Sequence, residues 1–452
     1  MRKIILSSIL ALCSAHASAL TLEQALTSGY NHHEDLKIIR TNFLDEVEAF
    51  PRALAGFMPK ISAKIESSDT KTSRRNNTKE PDNITSDATR YTKSITLDQS
   101  LFNGGSSVAE LKAAQSSFRA SRANYYAKEQ EIFLSEIDAY LSCVESKEKY
   151  EISKVSVRSN KTQLEAMKEK FRLGESTNTE VSSAKEGLAT AEASQAIAYA
   201  NSESAKANFY SIFGVEPIDV KIPAIPTNMQ KTLAALIERA KVVNPSIVNA
   251  RHKTKASKSR EYAAKGALLP RVNFQVTNSR DRYNPQVVGT SRTNNTSVTS
   301  TLSMTVPILE KGGMEYSDVR RAKYQTRREA IGLDSAVKQI IANCKASWSA
   351  FDAAKLRINA TDQAVEAAEV AYEGMIQEEM LGSKTIVDVL RTEERLNKAR
   401  EGRVEAKKEM ILAAYRIKSL VGELTAKSMN LQVDYFNPEA EFKKIKLKII
   451  GF

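Results

Sequence analysis

Four stretches of this chain alternate apolar and polar residues with a period of two, and each pair of them is followed by a long run of helical period. In the first pair, Ile61, Ala63 and Ile65 alternate with Lys60, Lys64 and Glu66, and Ile95, Leu97 and Leu101 alternate with Thr96, Asp98 and Ser100. The second pair carries Val272, Phe274 and Val276, then Val298, Leu302, Met304 and Val306. A period of two places one set on each face of a strand. Polar loops join the strands over residues 72–88 and 284–295, and residues 22–57 read as helix up to Pro59, whose ring cannot continue one. Such strands fit an outer-membrane barrel, and equally a half-buried hairpin in a soluble domain. Four strands cannot close a conducting barrel, so a barrel requires several chains.

The helical runs are longer than those of an ordinary domain. Between the glycine pair at 104–105 and Gly174 there is neither proline nor glycine, and Ser107 to Glu110 has the form of a capping box. At a rise of 1.5 Å per residue this run is roughly 100 Å long. Leu111, Phe118, Tyr125, Ile132 and Ala139 keep a seven-residue step, which favours left-handed coiling against a neighbour. The returning run, 176–213, is rich in alanine, which allows close helix approach. Stacked on the helix before the strands it would match the long run in length. Long helices alone also fit a soluble coiled-coil bundle.

The chain is a duplication. Thr21-Leu22 returns as Thr232-Leu233, residues 55–61 return as 266–272, residues 173–181 as 381–389, and 211–214 as 419–422. The halves are read as 20–223 and 232–424, with a linker at 224–231 and a tail at 425–452. A repeat of this length is a duplicated architecture; solenoid periods run roughly 20–50 residues.

Residues 1–19 have Arg2 and Lys3, an apolar stretch from Ile4, and the small-residue ending Ala17-Ser18-Ala19, the form of a secretory signal. No other stretch is apolar enough for a spanning helix. Net charge is +12, two less without Arg2 and Lys3, and the charges are scattered as on a solvated surface, so no nucleic-acid partner is expected. The basic tail 443–448 reads as a flexible terminus. Cys143 and Cys344 read as two unpaired, partly buried thiols, and the histidines have no metal-ligand spacing. No phosphate loop or nucleophile elbow appears, so neither an enzyme nor a cofactor is expected.

The signal, the duplicated strand pairs and the long hairpins together resemble the TolC-type outer-membrane channel family. The most specific stretches are 381–400 and 413–425, similar to that family's second helical tip and final helix, with 99–105 and 306–313 similar to its strand-to-helix junctions. The resemblance implies an α+β membrane protein: a homotrimer whose four strands per chain form a 12-stranded barrel in outer-membrane lipid, continuous with a periplasmic coiled-coil tunnel. It implies a passive exit duct for small-molecule efflux, type I protein secretion or both, served by a periplasmic adaptor and an inner-membrane efflux or ABC transporter. A soluble or surface-attached structural coiled coil is the alternative.

The resemblance also assigns site residues. An entrance gate maps onto Thr179 and Glu180 of the first tip and Lys384, Asp388 and Arg391 of the second. Three Asp388 carboxylates on a threefold axis would form an anionic ring. Thr177 to Glu180 and Thr385 to Asp388 are also capping boxes, and both readings stand together. Arg391 replaces the family's second acid and is placed to pair with Asp388, while Glu379 replaces a tyrosine that helps hold the closed state. Adaptor contacts map onto Leu173, Gly174 and Ser176, and onto Leu381, Gly382 and Ser383.

Overall fold

The computed structural model describes residues 20–75, 83–285, 291–446 and 448. The signal stretch and the centres of both polar loops lie outside the described residues. The helix expected over 22–57 is broken into α1 (Leu22–His32), α2 (Glu34–Val47), α3 (Ala49–Leu54) and a 3-10 turn at Ala55–Phe57. Pro51 explains the second break, because it has no N–H to give the Val47 carbonyl and its ring crowds that group. At the first break His33 is extended, with φ −61° and ψ 120°.

Two strands follow, β1 (Lys60–Arg75) and β2 (Asn83–Asn103), then a helical hairpin of α4 (Ser106–Arg172) and α5 (Asn178–Phe213). The order repeats in α6 (Leu233–Val243), α7 (Pro245–Gly266), β3 (Arg271–Pro285), β4 (Thr293–Thr305), α8 (Met314–Met380) and α9 (Ile386–Leu420), and ends with α10 (Pro438–Ile445). α4 is not capped by Ser107 and Glu110. The Asn103 side chain does it, accepting from the Ser107 N–H at 3.2 Å.

The four strands form one antiparallel sheet in the order β1-β2-β3-β4. Pairing runs well into the expected loops, from Lys60↔Asp98 to Arg75↔Asn83 and from Arg271↔Thr305 to Tyr283↔Thr293. Main-chain hydrogen bonds carry the ladder there, and these need no apolar side chain. Directly paired residues share a face, so the register shows which residues lie together. Ile61, Ala63, Ile65, Ile95, Leu97, Phe274, Val276, Val298, Leu302 and Met304 lie on one face. Thr92, Ser94, Thr96, Asp98, Gln275, Thr277, Ser279, Ser297, Thr299 and Thr301 lie on the other. A bulge between Ser100 and Phe102 makes Leu101 the extra residue and turns Phe102 onto the apolar face, opposite Val272. Nothing among the described residues covers that face: Ile65 is 79% exposed and Leu302 68%.

The chain divides into two compact units. The first comprises the chain to Thr41, Asn124–Ile247 and Val337–Phe436. Its core gathers Leu26, Tyr30, Phe133, Tyr140, Phe209 and Phe213, each 2% exposed or less. Cys143 and Cys344 are both buried and unpaired. The second unit comprises Asn42–Ala123, Val248–Ala336 and the chain from Asn437, and it holds the sheet. Its C-terminal helix α10 packs back onto the unit, and its last residues, 443–445, begin the basic stretch. Asn437 caps α10, and the Phe442 ring stacks on Phe118 at 3.8 Å and meets Phe50 edge-on at 5.1 Å.

Candidate functional site

The two helical tips lie in the first unit, one between α4 and α5 and the other between α8 and α9. Each turns on a glycine in the left-handed region, Gly174 at φ +83° and Gly382 at φ +73°. The closing bonds match: Glu175 N–H to Lys170 O at 2.8 Å, and Ser383 N–H to Glu378 O at 2.9 Å. This is the helix-ending bond pattern that a side chain at the glycine would strain. Each tip carries an exposed leucine just before its glycine, Leu173 at 65% and Leu381 at 84%.

Both re-entering helices are capped by an acid. Glu180 accepts from the Thr177 N–H at 2.8 Å and from the Ser176 hydroxyl at 2.8 Å. Those bonds, the backbone one foremost, hold its pKa below the usual carboxylate range. Asp388 accepts from the Thr385 N–H at 3.2 Å and the Thr385 hydroxyl at 2.8 Å. The Thr385 hydroxyl is the main reason its pKa is also lowered, with Lys384 and Arg391 acting through space. The expected Arg391–Asp388 pair does not form, because Asp388 is spent on its cap. Lys384, Thr179 and Arg391 are exposed. Among the described residues of one chain, Lys384 reaches neither Thr179 nor Glu180.

The two tips are joined by residues that sequence reasoning did not single out. Leu164 and Met167 of α4, Ala184 of α5, and Ile386 and Val389 of α9 share one apolar cluster, with Tyr372, Met375 and Ile376 of α8 packed against it. Lys170 of the first tip pairs with Glu379 of the second at 2.7 Å. The acid that replaces the family tyrosine thus has a partner of its own. Higher up, Glu393 is 4% exposed and accepts from Asn160 at 3.2 Å and Gln163 at 3.0 Å. Burial pushes its carboxyl up. Tyr372 lies 2.9 Å from the Ser159 hydroxyl and accepts from Gln163 at 3.2 Å. A signal for this network was present: the seven-residue step that includes Ala139 reaches Asn160 three heptads later, a polar residue at a buried coiled-coil position. Gly187 lets the helices approach there, since a Cβ would sit 2.9 Å from Leu390.

Several known proteins share this architecture. BepC, an outer membrane efflux protein of Brucella suis, is 24% identical over 431 residues, covering 95% of this chain and 91% of its own. TolC of Escherichia coli is 24% identical over 285 residues, 59% of this chain and 56% of its own. The crystal structure of the Campylobacter jejuni channel CmeC superposes with a TM-score of 0.75 at 17% identity, over 95% of this chain and 90% of that one. The model of the outer membrane efflux protein family matches twice, over 52–215 and 236–423, one match to each half of the repeat. With its four strands, its long hairpins and its duplication, this chain belongs to the outer membrane efflux protein family, channels of the outer membrane with a periplasmic helical part.

Proposed function

We propose that three copies of this chain close a 12-stranded barrel and work as a passive exit duct for small-molecule efflux, type I protein secretion or both. One observation carries the reading: a four-stranded sheet with an uncovered apolar face and two unpaired edges, β1 and β4. In lipid every backbone polar group must be paired, so an open edge is untenable. Joining β4 of one copy to β1 of the next removes all edges and leaves the threonine- and serine-rich face towards the lumen. The tips are where a periplasmic adaptor and an inner-membrane transporter engage, and exposed Leu173 and Leu381 give such a partner an apolar foothold. Gly174, Ser176, Gly382 and Ser383 shape that contact.

Lys384 faces Thr179 and Glu180 of a neighbouring copy and holds the entrance closed, while three Asp388 side chains, capped and ionised, line it. Exposed ion pairs of this kind are worth about 0–1 kcal/mol each, which suits a gate that a partner opens.

The test has two parts. Mature protein is recovered from outer membranes and weighed by native mass spectrometry, and three chain masses are expected. Recovery as a soluble periplasmic monomer overturns the duct. In planar bilayers Lys384→Ala raises the conductance; an unchanged value removes Lys384 from the gate.

A further inference from the structure

Two carboxylates are buried one above the other on α4, in the first unit, where α1, α2 and the segment after α9 meet it. Glu129 is 3% exposed and Glu136 is fully covered. Glu136 Oε1 lies 2.9 Å from His33 Nδ1 at the α1–α2 break. The Ala426 backbone faces the Glu129 carboxyl and favours its ionised form. The Oε2 atoms of both acids have no partner among the described residues.

The segment after α9 is fastened to this spot. The Leu424 N–H donates to Gln130 at 3.4 Å, and the Phe436 N–H donates to the Tyr30 hydroxyl at 3.0 Å. Arg40 lies over the Tyr30 ring at 4.4 Å and the Phe436 ring at 5.9 Å, and donates from Nη2 to the Tyr30 carbonyl at 3.3 Å. The Arg40 Nε is buried without a partner among the described residues. The guanidinium therefore bridges α1, through the Tyr30 ring and carbonyl, and the strap, through the Phe436 ring, although an acid is close by.

We propose that Glu129 is a proton-operated clip for the strap 424–436. With its proton on, Glu129 sits neutral under Ala426 and leaves Arg40 on the two rings. Ionised, it is a bare charge in a covered site, and the strap loosens to let water reach it.

On balance the electrostatics favour the proton. Burial pushes the Glu129 carboxyl up to about 7, with the Ala426 backbone and Arg40 opposing and Glu136 reinforcing. Burial also raises Glu136, and the Glu136 bond raises His33. Each of these groups binds its proton more tightly in the folded chain. For Glu129, the stabilisation is complete below the ordinary value of 4.5 and is lost as pH rises through about 7. The remaining titratable neighbours are Tyr30 and Tyr125, and the strap's own Lys427 is exposed. The second half has no counterpart, since Asn244 and Cys344 occupy the places of His33 and Glu136.

Hydrogen exchange of the full assembly, read by mass spectrometry on peptides spanning 424–436 and corrected for intrinsic rates, tests the clip. Above pH 7, protection of the strap falls by up to about tenfold per pH unit, the limit for one linked proton. In Glu129→Gln, which keeps a side-chain oxygen for Ala426 and cannot ionise, protection stays high at pH 8. A strap equally protected at pH 6 and pH 8 in the unmodified protein overturns the proposal. So does a pH dependence that survives in Glu129→Gln and disappears in His33→Gln.

Discussion

At the tips, each acid serves its own backbone before it serves anything else. Glu180 and Asp388 are tied to the threonines that precede them in the chain, so both are fixed in place and ionised. That much was legible in the sequence, because a capping box is local and its spacing is fixed. The Lys170–Glu379 pair was not legible, because it depends on how two hairpins far apart in the chain are aligned. Lys170 and Glu379 are partly shielded, so the pair is worth about 1 kcal/mol at most. Lys170→Ala should therefore speed amide exchange in the second tip, residues 378–385, by about fivefold while leaving the helices above unchanged. Equal exchange in the two proteins would mean that the apolar cluster alone aligns the tips.

Among the elements, the strands show what periodicity conveys and where it stops. Alternation identified all four, and the observed pairing puts their apolar residues on one face. It missed the outer halves of the strands, which are rich in serine, threonine and arginine, and it missed the bulge that moves Phe102. A bulge depends on the partner strand and leaves no mark on one strand's own pattern. Single-residue steps give the test. Leu302→Arg places a charge on the apolar face and should cost about 2–4 kcal/mol, read as loss of assembled protein from the membrane. Thr301→Arg, one residue away on the polar face, should assemble normally. The breaks at Val47 and His33 show the same division. The first follows from Pro51 and could be read in advance, while at the second His33 meets Glu136, more than a hundred residues away, a contact that no local pattern announces.

For the molecule as a whole, duplication supplies the plan and the differences between copies supply the chemistry. Both halves repeat helices, strand pair, long hairpin and tip glycine. They part at isolated buried positions, where one half has His33 and Glu136 and the other Asn244 and Cys344. The two open strand edges have a genetic consequence. A ring closes only if every copy offers both edges, so one copy with a blocked edge spoils the sound copies it joins. Co-expression with an edge-blocked variant, such as Thr299→Pro in β4, should therefore be dominant. With the proposed ring of three, about one ring in eight would contain only sound chains at equal expression. Efflux-dependent survival of cells carrying both forms measures this directly: activity near that fraction indicates mixed rings, and activity at half or better indicates that copies sort before they close.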